Sequence, residues 1–242
     1  MTKEYDHITA FHYSAFRPAL HSQILKKHLD GHQSYSIGLD VGSGIGHSSI
    51  ALAGYCKKVV GVEPSREMLS RSMLHPRVEY AHYDCKHLDF EKEYFDIVTF
   101  AGSLHYAKSA QMLDEVIRVS KNGAKLVIYD FELLLDDILG MLGAEGNIGQ
   151  KPEYDFQVDF SGLERKNIET EQMEKTSVTV EICTPDLTHL ILSSKDNYRP
   201  LLKLFGPKNI YIKVFHKLNS VLTGDMAKIK AITYTTIYNV MK

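Results

Sequence analysis

An α/β fold built on a doubly wound, mostly parallel sheet is what this 242-residue chain predicts. Three observations carry that expectation. Between Ser36 and Asp130, short apolar runs alternate with helix-period segments. Their spacing suits strand–helix–strand crossovers, which are right-handed and build parallel sheets. The first apolar run ends in a glycine-rich turn. The last stretch, Ile229 to Val240, is rich in Ile, Thr and Tyr and predicts a terminal strand.

The elements follow in order. Pro18 suits the first turn of a helix whose apolar face is Leu20, Ile24, Leu25 and Leu29. Ile37 to Val41 predicts the first strand and Ile45 to Ala53 a helix. Val59-Val60-Gly61-Val62 within Lys58 to Glu63 has the pattern of a buried strand. Met68, Leu69, Ser72 and Met73 mark one face of the next helix, and Arg77 to His82 and Phe95 to Ala101 predict two more strands. Ser109 suits the cap of a helix carrying Met112, Leu113, Val116 and Ile117, with Gly123 as its stop. Lys125 to Tyr129 predicts the fifth strand. Beyond Asp130 the rhythm changes: Phe131 to Gly143 predicts a helix, Gly146 to Gly162 a loop and Thr176 to Ile182 a strand. Helices are expected around Leu187 to Ser193, Arg199 to Phe205 and Val214 to Leu222. These readings divide one domain into a helical flap (1–35), a core (36–130), a late strand and cap region (131–223) and a terminal strand (224–242).

Composition narrows the function classes. The formal charge is −2, with 44% hydrophobic and 24% charged residues. These are globular values, and they lack the basic face of a dedicated nucleic-acid binder. Cys56, Cys85 and Cys183 are far apart and form no C-x-x-C pair, so no disulfide framework or thiolate zinc site is expected. Twelve histidines include no H-E-x-x-H, and no metal is expected. No stretch reaches the ~18 consecutive apolar residues of a membrane span. The first residues lack the apolar core of a signal peptide. A soluble, cytoplasmic protein is expected.

The most informative segment is Leu39-Asp40-Val41-Gly42-Ser43-Gly44-Ile45-Gly46. It places G-x-G-x-G at the carboxyl edge of the first strand, where open α/β sheets bind ligands. A dinucleotide fingerprint needs a third glycine that would fall on His47 or Ser49, and no Gly-Lys pair exists for a phosphate-binding loop. Downstream, Glu63 ends the second strand. An ionised carboxylate accepts but does not donate, which matches the two hydroxyls of a ribose.

Together these residues resemble class I S-adenosylmethionine-dependent methyltransferases, most closely the type 11, UbiE-like branch that acts mainly on small molecules. Asp84-Cys85 after the third strand, Phe95-Asp96-Ile97-Val98 with Ala101, and Val119 to Leu126 are similar to the family's later motifs. In the last of these, Asn122 stands for the usual proline and Ala124 for the second glycine. Tyr13-Ser14-Ala15-Phe16-Arg17-Pro18 is similar to the start of trans-aconitate-methyltransferase-like relatives, and Thr184-Pro185-Asp186 follows them loosely. The resemblance implies a Rossmann-like, seven-stranded sheet with an antiparallel terminal strand and a helical cap, and S-adenosyl-L-methionine as cofactor. The cofactor contacts it implies are Gly42, Ser43, Gly44 and Gly46 in the turn and Asp40 ordering that turn. It adds Glu63 and Pro64 on the ribose side, Met68 on the adenine ring, and Asp84 and Cys85 on the adenine edge. Ala101 completes the floor, and Tyr13 and Arg17 would grip the carboxylate.

His105, in Ala101-Gly102-Ser103-Leu104-His105-Tyr106, is the candidate base at the acceptor edge. A packing role for His105 is the alternative. The expected reaction is methylation of a small molecule, with O-methylation of a carboxylate or hydroxyl favoured. A carboxylate would need no base, and Ser194 and Arg199 are candidates to receive it. Three rivals stay open at this point: a nicotinamide oxidoreductase, a binding module without catalysis, and nucleic-acid methylation. The last lacks an Asn-Pro-Pro-Tyr-like element after the fourth strand.

Overall fold

The structure is a computed structural model, and it describes residues 7–29, 34–83, 87–144, 154–163 and 166–242. Its first half is α1 (His7–Ala15), α2 (Leu20–His28), β1 (Tyr35–Val41), α3 (His47–Leu52), β2 (Cys56–Glu63), α4 (Arg66–Leu69), β3 (Val78–His82) and β4 (Phe95–Ala101). There follow α5 (Leu104–Ala107), α6 (Ala110–Val119), β5 (Ser120–Leu134), α7 (Asp136–Met141) and β6 (Ile168–Cys183). The chain closes with α8 (Thr184–Leu192), α9 (Lys195–Phe205), α10 (Ile210–Val221) and β7 (Met226–Val240).

One seven-stranded sheet runs in the order β3-β2-β1-β4-β5-β7-β6. β1 pairs in parallel with β2 on one side and β4 on the other, and β2–β3 and β4–β5 are parallel as well. The terminal strands are antiparallel. The order reverses between β1 and β4, and such a reversal opens a crevice at the carboxyl ends of the strands.

The chain forms two compact units. One comprises Ala19–Phe131, Tyr154–Thr176 and Thr233–Lys242; the other comprises Met1–Pro18, Glu132–Glu153 and Ser177–Ile232. The first unit holds the sheet's main core. Leu39, Val98, Phe100 and Leu126 from the strands and Leu113 and Val116 from α6 are fully buried together. Removing each such side chain from water is worth about 1.5–3 kcal/mol. This is why the strands read as near-continuous apolar runs rather than alternating ones. Arg118 of α6 fastens the connection into β4. Its guanidinium donates to the carbonyls of Leu88 and Phe90 at 2.6 and 2.7 Å, while Glu115 accepts from the Leu88 amide at 2.8 Å.

Two boundaries around β5 differ from the sequence expectation. The helix capped by Ser109, whose Oγ accepts from the Met112 amide at 3.1 Å, ends at Val119 and not at Gly123. Ser120 donates its hydroxyl to the Val116 carbonyl at 2.6 Å and is already extended. Gly123, with φ +75°, falls inside β5, where the register with β4 jumps from Phe95↔Ser120 to Ile97↔Lys125. The glycine therefore serves a strand irregularity, not a helix stop. At its other end β5 continues to Leu134, so the helix expected from Phe131 begins only at Asp136.

The second unit has its own helical core, with Leu187, Ile191, Leu201, Val214 and Leu218 fully buried. It also contains α1, part of the segment expected as a helical flap. His12 of α1 is buried, and its Nδ1 lies 2.9 Å from Nδ1 of His189 on α8. Tyr211 of α10 stacks on His12. Among the described residues, no helix is long and apolar enough to cross a membrane.

Candidate active site

The glycine turn is fixed by backbone bonds before any side chain acts. The amides of Gly42 and Ser43 both donate to the Val62 carbonyl, at 2.8 and 3.1 Å, which ties the turn to the end of β2. Gly46 has φ +103°, and a Cβ there would lie 1.9 Å from the Tyr80 hydroxyl. Gly42 has φ +76°, and a Cβ there would lie 2.4 Å from Cβ of Ser103. Both positions therefore need glycine for conformation and for room. Across the turn, Met68 of α4 comes within 3.7 Å of where a Gly44 Cβ would sit.

Glu63 is buried at the end of β2. One carboxylate oxygen accepts from the Gly44 amide at 2.9 Å and the other from the Ser65 amide at 2.9 Å. A carboxylate offers about four acceptor positions, so two remain. Pro64, the exposed residue between Glu63 and Ser65, carries the chain around that carboxylate. Beside the turn, the buried Ser43 Oγ and Tyr80 hydroxyl have no hydrogen-bond partner among the described residues. Burial, and then Asp40, pushes the Tyr80 phenol up to about 12.

Asp40 is wholly buried. It accepts from the hydroxyls of Ser48 and Ser49 at 2.6 Å each and from Thr99 at 2.8 Å. Desolvation raises its pKa while these three donors oppose the rise. It fastens β1 to the start of α3 and to β4, and so sets the turn's exit.

Ala101 is the last residue of β4, and Ser103 just beyond it donates its hydroxyl to the Val41 carbonyl. The same segment brings in residues the sequence analysis passed over. The Tyr154 hydroxyl lies 2.6 Å from the Gly102 carbonyl oxygen and 2.7 Å from Asp130 Oδ2, and Asp130 Oδ1 accepts from the Phe131 amide at 2.7 Å. Burial pushes the Asp130 carboxyl up to about 6, against the bonds from Tyr154 and Phe131. His105 packs on Tyr154 with ring centroids 4.4 Å apart, and its Nδ1 accepts from the Asp155 amide at 3.2 Å. An imidazole whose Nδ1 accepts carries its neutral-state proton on Nε2. Its outward nitrogen is then a donor.

The predicted residues thus separate into groups. Gly42, Ser43, Gly44, Gly46, Glu63 and Met68 come together at one turn, with Asp40 behind it and Ala101 at the neighbouring strand end. Asp84 and Cys85 lie outside the described residues. Tyr13 and Arg17 belong to the second unit, where the Arg17 guanidinium lies 3.5 Å from the centre of the Tyr13 ring. A carboxylate closing an apolar strand, as in Leu-Val-Ile-Tyr-Asp130, was the one sequence signal for the acceptor-side group. Tyr154 carried none.

A seven-stranded sheet in this order, with a glycine turn and an acidic residue ending the next strand, defines the class I, S-adenosylmethionine-dependent methyltransferase fold. Residues 39–128 match the family described as a methyltransferase domain. A Clavibacter sepedonicus demethylmenaquinone methyltransferase is 38% identical over 98 residues, covering 38% of this chain and 40% of the relative. A Dictyostelium discoideum methyltransferase is 27% identical over 125 residues, covering 50% of this chain and 47% of the relative. The chain thus spans less than half the length of these curated relatives. A solved methyltransferase structure from Anaeromyxobacter dehalogenans superposes over 93% of this chain and 98% of that one, with a TM-score of 0.66 at 16% identity. That likeness is one of fold.

Proposed function

We propose that the protein is an S-adenosylmethionine-dependent methyltransferase acting on an oxygen of a small molecule, a carboxylate or a hydroxyl. The single observation that carries this is Glu63. It is buried, held by the turn it faces, and has acceptor capacity left for a vicinal diol. Three positive-φ glycines let a ligand approach the adjoining backbone.

In this reading Glu63 takes the ribose hydroxyls and Met68 packs on the adenine. Asp84 and Cys85 take the adenine edge, by resemblance to the family. Tyr13 and Arg17 are added as carboxylate contacts on that same sequence resemblance. The bound cofactor supplies an activated methyl group. The protein's work is to hold the acceptor oxygen in line with it, which is worth several kcal/mol of barrier through orientation alone. His105, with Nε2 as donor, orients the acceptor.

The near-neutral charge favours a small molecule over a nucleic acid, as does the demethylmenaquinone acceptor in the name of one relative. Cys56 and Cys183, free thiols among the described residues, suit a reducing, cytoplasmic setting, and burial pushes the Cys56 thiol up to about 12. Calorimetry with S-adenosylhomocysteine, with NAD as the control, tests the reading. Micromolar binding of the first and none of the second is expected. The reverse pattern would make the chain an oxidoreductase.

A further inference from the structure

We infer that the α9–α10 hairpin is a docking surface that seats the protein on a bilayer bearing anionic headgroups. The inference goes beyond the methyltransferase reading and does not depend on it.

The sequence supplies the charge. The protein as a whole is slightly acidic, with a formal charge of −2. From Asn197 to Gly224 it carries five basic residues, Arg199, Lys203, Lys208, Lys213 and Lys217, and no aspartate or glutamate. Asp196 and Asp225 bound the stretch. A run of one sign inside a chain of the other gives a local field that draws an anionic partner.

The helices decide where that charge stands. α9 buries Tyr198 and Leu201, and α10 buries Ile210, Val214 and Leu218. Each helix thus turns one apolar face inward and carries its cations on the other. Arg199 and Lys203 are four apart on α9, Lys213 and Lys217 are four apart on α10, and all are exposed. Gly206, with φ +72°, and Asn209, with φ +56°, turn the chain between the helices, and Pro207 and Lys208 are exposed in that turn. The Lys213 ammonium donates to the Phe205 carbonyl at 2.6 Å, which holds the start of α10 against the end of α9. Lys203, Lys208 and Lys213 therefore gather at one tip, with Arg199 and Lys217 a helical turn behind.

Folding does not account for these cations. Like charges four apart on a helix repel. The helix dipole favours Lys203 in the last turn of α9, and Lys213 has its carbonyl. Neither reason covers Arg199, Lys208 and Lys217. Among the described residues, Arg199, Lys203, Lys208 and Lys217 form no ion pair, whereas Lys58, Lys121 and Lys125 of the sheet pair with Glu79, Asp96 and Glu171. Asp186, whose charge bears on Tyr211 of α10, accepts from the Cys183 thiol at 3.2 Å.

Apolar side chains choose the partner. Leu204 is 52% exposed and Ile212 51% exposed, on the two sides of the same turn and among the same cations. An acidic polymer would satisfy the cations and leave both apolar side chains in water. A bilayer takes both, because its headgroups meet the cations and its acyl boundary receives the apolar groups. The lysine stems add to this, since their methylenes lie along apolar surface while the charge stays among the headgroups.

The test uses the full chain. In about 0.1 M salt it should co-sediment with phosphatidylcholine vesicles containing ~30 mol % phosphatidylserine, and stay in solution with phosphatidylcholine alone. Raising the salt to about 0.5 M should release it. Lys203→Gln, Lys208→Gln and Lys217→Gln together should weaken binding about 100-fold, since each cation near such a surface is worth about fivefold. Arg199, a candidate acceptor contact, stays in place. Leu204→Ser with Ile212→Ser should weaken binding about tenfold. All five positions are exposed, so both variants should melt with the wild type and bind S-adenosylhomocysteine as it does. Equal binding to neutral vesicles, or binding to charged ones that the triple variant keeps, would overturn the inference. Capture by polyglutamate or duplex DNA without binding to vesicles would overturn it as well, by giving the surface to an acidic macromolecule. Failure of the wild type to bind S-adenosylhomocysteine would bring down the methyltransferase reading alone.

Discussion

The two halves of the crevice are built differently. At the glycine turn the bonds join the ends of β1, β2 and β4, with Asp40 reaching as far as Thr99. Glu63 holds Gly44 and Ser65, and Asp40 holds Ser48 and Ser49. Beyond the end of β4, Tyr154 reaches 24 residues back to Asp130 and 52 back to Gly102, and Asp155 reaches 50 back to His105. The first half is written in residue types that the backbone itself demands. The second is assembled from ordinary side chains that the fold happens to bring together. A turn needing φ above zero at three places can be located without knowing anything else about the chain. A tyrosine in an irregular segment cannot.

The largest way to break this contrast is to disturb the turn. Gly46→Ala combines a left-handed backbone with an overlap on Tyr80. It should cost about 2–4 kcal/mol by urea denaturation, from the αL penalty and overpacking together. Adding Tyr80→Phe should recover part of that loss. A variant as stable as the wild type would show that the turn is softer than its geometry implies.

Next comes Glu63→Ala. Loss of hydrogen bonds to a charged group should weaken S-adenosylhomocysteine binding by about 1.5–3 kcal/mol in calorimetry. Glu63→Gln, which keeps one acceptor oxygen, should fall between. An unchanged dissociation constant in the alanine variant would remove Glu63 from the ribose contact.

A third prediction compares the two compact units by pH. Asp130 has a folded pKa raised to about 6. Its contribution to stability is fully present below the ordinary carboxylate value and is lost as pH rises through 6. The amount is on the order of 2–3 kcal/mol and should vanish in Asp130→Asn. The His12–His189 pair has the opposite sign. Burial lowers His12 to about 4 and also lowers His189, and the close His189 lowers His12 further. Stability from the pair is present above the ordinary imidazole range and is lost as pH falls through the lowered values. Asp186, whose charge favours protonated His189, and Tyr211 are the other titratable groups against the pair. Between pH 7 and 5 the wild type should therefore lose a few degrees of Tm relative to His12→Phe. Urea unfolding and thermal melts of the single variants read the two effects separately.

The smallest expected effect concerns α1. If Tyr13 and Arg17 contact the cofactor, adding S-adenosylhomocysteine should slow hydrogen exchange around Tyr13. Exchange that slows only around Gly42 to Gly46 would leave those two residues to the helical unit alone.

How much was legible varies along the chain for physical reasons. β1, β2 and β4 were readable because a parallel strand buried on both faces is a near-continuous apolar run. The start of β5 was not. Gly123 has the look of a helix stop, and only the Ser120 hydroxyl bonded to Val116 and the shifted register with β4 reveal a strand irregularity. Phe131 to Leu134 was read as helix because four apolar and acidic residues carry no period long enough to separate the two. Asp40 was legible as important, but its partners were not, since which hydroxyls surround a buried carboxylate depends on the neighbouring strand and helix.

The sequence by itself determined the sheet's class, the position of the glycine turn and the identity of Glu63 at the end of the next strand. These follow from backbone conformation and burial, which act residue by residue and leave their mark on composition. Only the tertiary structure decided that Tyr154 bonds Asp130 while packing on His105, that His105 Nδ1 accepts from the Asp155 amide, and that burial pushes the Asp130 carboxyl up to about 6. Those properties depend on which groups are desolvated together, and desolvation belongs to the packed molecule rather than to any segment of the chain.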